Sequence, residues 1–162
     1  MRPAPLIALA LSAVLASSCG GGGDGGGDPS AVPGGADPGA VLVIEGWADD
    51  LRVGEVEAAA DYWEIPSIAQ NGTPPLELTS RDEVIAFNEA LPCGAELIRA
   101  ETQGEFTVAT FELTERPGAG QCGPGVGETA RTAFVIEGGK IVEWRRAADE
   151  APLEPPAEGP IV

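Results

Sequence analysis

Residues 47–63, WADDLRVGEVEAAADYW, decide the fold. Val41, Ile44, Trp47, Ala48 and Leu51 recur at helical spacing ahead of Gly54, and Val56, Ala59, Ala60 and Trp63 recur after it. The stretch therefore reads as the end of one amphipathic helix, a tight turn and a second helix, each with one apolar stripe. Two such stripes need a common surface to cover. Strand-like segments after residue 94 supply it, and any ligand would sit between helices and sheet.

Upstream, Asp37-Pro38 offers a helix start, with an oxygen acceptor at the cap and a proline where a missing N–H costs nothing, so the first helix is expected over 38–52. Downstream, Pro66, Pro74 and Pro75 break residues 65–79, which read as loop with a brief edge strand, because proline has no N–H for a ladder. Ser80 and Glu83 form a capping-box pair that opens a third helix, with Val84, Phe87, Asn88 and Leu91 on one side and Pro92 as its stop. The pattern then turns to strand: 95–102 and 106–115 flank Gln103-Gly104, while 129–136 and 141–145 flank the two-glycine turn at Gly138-Gly139. The expected fold class is α+β, three N-terminal helices packed on a curved antiparallel sheet of four to six strands, the last four being the two hairpins.

The ends of the chain read differently. After Arg2 comes an apolar run of signal-peptide length, too short to span a bilayer. It ends in Leu15-Ala16-Ser17-Ser18-Cys19, which resembles the bacterial lipobox, and the resemblance implies a signal peptide over 1–18 and a diacylglycerol on Cys19. Residues 19–39 hold the lipidated cysteine and a glycine-rich segment that cannot bury apolar surface, expected as a flexible linker with a coil dimension on the order of 25 Å. The folded domain is expected over 40–147, and residues 148–162, rich in proline and glutamate, read as a disordered tail. These readings place the protein in a bacterial envelope, lipid-anchored and extracytoplasmic.

The chain carries 26 acidic against 9 basic residues, a formal net charge of −17, which argues against nucleic acid as a partner. The acids are scattered, as on a solvated surface. With Cys19 lipidated, Cys93 and Cys122 remain as a pair, and an exported pair is expected to be oxidised. If the first hairpin turns near Gly104, Cys93 lies across from about residue 115 and Cys122 a short loop beyond, within reach of a bridge. Neither a CxxC motif nor any histidine accompanies the pair, so redox chemistry, metal and cofactor are not expected.

The order of WADDLRVGEVEAAADYW (47–63), GTPPLEL (72–78), SRDEVIAF (80–87) and AFVIEGGKIVEWR (133–145) resembles the nuclear transport factor 2-like superfamily, which includes ketosteroid isomerases and polyketide cyclases. The resemblance implies a cone whose helices cover the concave face of the sheet, with an apolar pocket at the open end. Set on the isomerase pattern, Trp47 falls where those enzymes carry the oxyanion-donating tyrosine, and Asn71 where they carry the proton-abstracting carboxylate. Indole is a far weaker acid than phenol, and an amide is no base at neutral pH. That chemistry is therefore expected to be absent.

Trp47, Tyr62, Trp63, Asn71, Phe87, Phe111, Phe134 and Trp144 are the candidate pocket residues, in a fold where core and pocket lining overlap. The first functional expectation is a non-catalytic domain that binds a small apolar ligand or an envelope protein. An isomerase, cyclase or hydratase on a bulky apolar substrate is the alternative, using Tyr62 or an acid such as Asp61, Asp49 or Asp50. Pairing of two copies as a homodimer is a third option.

Overall fold

A computed structural model describes residues 35–118 and 120–148. The expected signal peptide, the lipidation site at Cys19, the first part of the linker and all of the tail beyond Ala148 lie outside the described residues. The part of the linker that is described is folded: Gly35 bridges to Glu101, and Ala36 is buried with Val41 and Ala100. The ordered domain thus begins before residue 40.

Helix α1, Pro38–Val53, starts where Asp37 accepts from the Ala40 N–H at 2.8 Å. It ends at Gly54, whose φ of 89° is left-handed and therefore suits glycine; the N–H groups of Gly54 and Glu55 close on Leu51 and Asp50. The expected second helix is a single short turn, α2, Val56–Ala60. Trp63 instead opens strand β1, Trp63–Gln70, because the Tyr62 carbonyl accepts from Ile141 N–H and draws the chain into the sheet. Trp63 is still buried, so the apolar spacing marked its facing and not its conformation.

Strand β1 replaces most of the expected loop. Its ladder is irregular between Trp63 and Ile68, around Pro66, and it runs parallel to the last strand, from Ile68 opposite Glu143 to Gln70 opposite Arg145. The short strand β2, Leu76–Leu78, pairs outside it. Helix α3, Arg81–Ala90, is capped by Ser80, and the Glu83 carboxylate accepts from Thr79 N–H at 2.7 Å and from its hydroxyl at 3.0 Å. These bonds hold the Glu83 carboxyl below the usual glutamate range.

Strands β3 (Gly94–Gln103), β4 (Phe106–Thr114), β5 (Thr129–Glu137) and β6 (Lys140–Ala147) form the two expected hairpins. Gly138 and Gly139 both have positive φ in the second turn, as a two-residue hairpin requires. The sheet has six strands in the order β2-β1-β6-β5-β4-β3. It is mixed, not wholly antiparallel, because β1 joins β6 in parallel. Helix α1 lies along β3 and β4, with α2 and α3 stacked beside it. Ile44, Ala59, Val84, Phe134 and Ile141 are fully buried between the layers.

Candidate pocket at the open end of the sheet

Alternation along the strands sends Phe134 and Trp144, paired across β5 and β6, to the helix-covered face. Two residues away on each strand, Thr132 and Arg146 pair on the same face. Phe111 on β4 lies opposite Ala130 on β5 and Leu97 on β3, extending that face across the sheet. Over it comes the C-terminal half of α1 with Trp47 and Leu51.

The rings meet edge to face. Trp47 stands 5.6 Å from Phe134 and 6.5 Å from both Phe111 and Trp144, and Phe87 stands 5.2 Å from Trp144 and 5.5 Å from Trp63. Between α1 and the ends of the strands they leave a cavity of about 160 Å³. Trp47, Leu51, Phe111, Leu113 and Trp144 form its apolar walls. Ala95 and Ala130 make its floor, and Leu91, Pro92 and Cys93 close one side. At its rim stand Asn71, Arg131, Thr132 and Arg146. Among the described residues, no carboxylate lines it.

Of the candidate residues, Trp47, Asn71, Phe111 and Trp144 come together here. Phe134 lies beneath the cavity, fully buried against Trp47 and Phe111. Trp63 and Phe87 pack on one another in the core. Tyr62 is elsewhere, beside Asp50 in a separate surface depression, its ring close over Gly46. Burial, with Asp50 and Asp49 nearby, raises its phenol above the usual pKa and keeps it protonated. The proposed acids are also away from the cavity: Asp49 pairs with Arg52 at 2.9 Å and Asp61 with Arg81 at 2.8 Å.

The indole N–H of Trp47 donates to Asn88 Oδ1 at 3.3 Å, inside the core, so this donor is turned to α3. Arg116, 7% exposed, donates to the carbonyls of Asn88 and Glu89 and so closes the C-terminus of α3. Burial draws its pKa below the ordinary arginine value, with Glu89 opposing. Next to it, Cys93 and Cys122 form the expected disulfide, Cα atoms 4.6 Å apart. The Glu115 carboxylate accepts from the Cys122 and Gly123 N–H groups at 3.3 Å each and holds the loop against the strand end. Among the described residues, no group of three or more histidine, cysteine or acidic side chains is placed to hold a metal ion.

Among the cavity-lining residues that sequence patterning missed are Ala95, Ala130, Thr132 and Arg146. For Arg146 a signal existed: it falls two residues after Trp144 on an alternating strand, and so on the same face.

No family model matches the chain, and no curated protein matches its sequence. Solved structures do share its fold. A candidate polyketide cyclase of Sinorhizobium meliloti superposes with a TM-score of 0.51 at 13% identity, covering 64% of this chain and 92% of that one. A de novo designed protein with a curved β-sheet gives 0.52 at 17% identity, covering 71% and 88%. A protein of Burkholderia xenovorans LB400 described as NTF-2 like gives 0.49 at 16% identity, covering 70% and 88%.

Proposed function

We propose, on the premise that this chain has the nuclear transport factor 2-like fold, that it is an extracytoplasmic lipoprotein whose domain holds a small apolar ligand without transforming it. One observation carries the reading: the cavity has apolar walls and, among the described residues, no general base. A proton-abstracting or hydrolytic site needs a side chain that can accept a proton within hydrogen-bond reach of the substrate. Here the walls are indole, phenyl and aliphatic, Cys93 is held in a disulfide, and the polar rim consists of an amide, a hydroxyl and two guanidinium groups.

The address follows from Cys19, and the geometry of the domain is compatible with it. Gly35 meets the sheet at Glu101, whereas Cys93 and Ala95, at the other end of the same strand, border the cavity. Six residues of strand separate Ala95 from Glu101, roughly 20 Å. An anchor at Cys19 would therefore join the domain near Glu101, at the opposite end of β3 from the Ala95 floor of the pocket.

A titration of the intact protein with benzyl alcohol, followed by the fluorescence of Trp47 and Trp144, tests the pocket. Ala130→Phe, which fills the floor, is expected to abolish the response while leaving the fold intact. An equal response in that variant would remove the pocket from the account. Turnover of a Δ5-ketosteroid by the wild-type protein would overturn the non-catalytic reading, and retention of anchoring in Cys19→Ala would overturn the address.

A further inference from the structure

Among the described residues, the cationic side chains of this acidic chain are nearly all engaged. Arg52, Arg81, Arg131 and Arg145 pair with Asp49, Asp61, Glu101 and Glu143. Arg116 and Lys140 donate to backbone carbonyls, and Arg99 faces the Thr110 hydroxyl. Arg146 differs: it is exposed, it borders the cavity, and it has no ion-pair or hydrogen-bond partner among the described residues. A guanidinium with no partner among the described residues stands out on a chain with 26 carboxylates. Its neighbours are also donors. Thr132 lies directly across on β5, and Asn71 lies one register step beyond the Gln70–Arg145 pair on β1.

Resting on the pocket reading above, the geometry points to a ligand with two parts: a compact apolar body in the cavity and a carboxylate head held by Arg146. A guanidinium fork matches the two oxygens of a carboxylate, and the Asn71 amide and Thr132 hydroxyl add donors from either side. Arg131 does not share this role, because its guanidinium is bonded to Glu101 at 3.2 Å and to the Ala148 carbonyl at 3.4 Å. The size of the body is bounded by the cavity. At about 160 Å³ it compares with apolar cavities of about 150 Å³ that admit benzene, so the body is one ring or a chain on the order of six carbons. The absence of any lining carboxylate among the described residues lessens the local repulsion that a net charge of −17 would otherwise place at the mouth.

The test uses three probes of one shape, 3-phenylpropionate, its neutral primary amide and 3-phenylpropylammonium, titrated into the full chain by calorimetry at low and high salt. The carboxylate is expected to bind about tenfold more tightly than the amide, the ammonium most weakly, and the margin is expected to shrink with salt. Arg146→Gln, an exposed substitution, is expected to erase the carboxylate's margin while weakening the amide far less, and Arg146→Lys to restore part of that margin. Equal binding of carboxylate and amide to the wild type would overturn the head-group inference while sparing the pocket. So would an Arg146→Gln variant that keeps the preference. Failure of all three probes, in the wild type and in Ala130→Phe alike, would instead remove the pocket reading on which the inference stands.

Discussion

Helix α1 crosses two pairs of alanines with opposite results. Near its N-terminus, Ala100 on β3 and Ala109 on β4 are fully buried, because Val41 and Ile44 come down on that end of the sheet. Near its C-terminus, Ala95 on β3 and Ala130 on β5 are only half-buried and floor the cavity. The sheet residues are of one type; what differs is the cover. At the far end the helix brings Trp47, whose ring stands edge-on among Phe111, Phe134 and Trp144, and then turns away at Gly54. Large rings meeting edge to face build walls, and a small side chain between them leaves space. The pocket is therefore a consequence of where α1 stops.

The largest effect separating the two ends is expected from the disulfide. It closes a span of 29 residues and fixes the Leu91-Pro92-Cys93 side of the cavity, far from Ala100 and Ala109. In the chain-entropy model such a loop contributes about 3.5 kcal/mol. Chemical denaturation of Cys93→Ala/Cys122→Ala should show a loss of that order, with hydrogen exchange rising first in α3 and β3 beside the cavity. Uniform loosening across α1 would blur the distinction between the two ends.

Overfilling sharpens the contrast. Ala109→Phe has no room and is expected to cost roughly 1–3 kcal/mol, whereas Ala130→Phe enters existing space and should change stability by less than about 0.5 kcal/mol. Equal losses by thermal melting would mean the cavity is already filled.

A small pH effect is expected at α3, whose C-cap residue Leu91 lines the cavity. The folded pKa of Glu83 is depressed by its bonds to Thr79, so its stabilisation is present above the ordinary glutamate pKa and is lost as pH falls through the folded value. Glu83→Gln should flatten that part of the acid limb of the stability profile. An unchanged limb would show that the Thr79 contact contributes nothing.

The parts of the fold written in local signals were legible. Asp37-Pro38, the Ser80 cap, the Gly138-Gly139 turn and the pairing of Cys93 with Cys122 each rest on chemistry within a few residues or on a count of cysteines. Strand β1 was not, for two reasons. Pro66 argues against a strand when read alone, and the partner that makes it one, β6, arrives more than seventy residues later and in parallel. The site was half legible. Aromatic size singled out Trp47, Phe111 and Trp144, but the same signal also gathered Trp63, Phe87 and Phe134, which are core, because apolar bulk does not say whether space remains beside it. What makes the pocket is two alanines and the end of a helix, features with no signature of their own.

The most direct measurement is native mass spectrometry of the protein extracted gently from its own envelope fraction, with Ala130→Phe alongside. The account predicts a diacylated species with Cys93 and Cys122 oxidised, carrying a small molecule that the filled variant lacks. A wild-type species that is ligand-free and instead bound stoichiometrically to a second protein would contradict it, and would make this domain an assembly module.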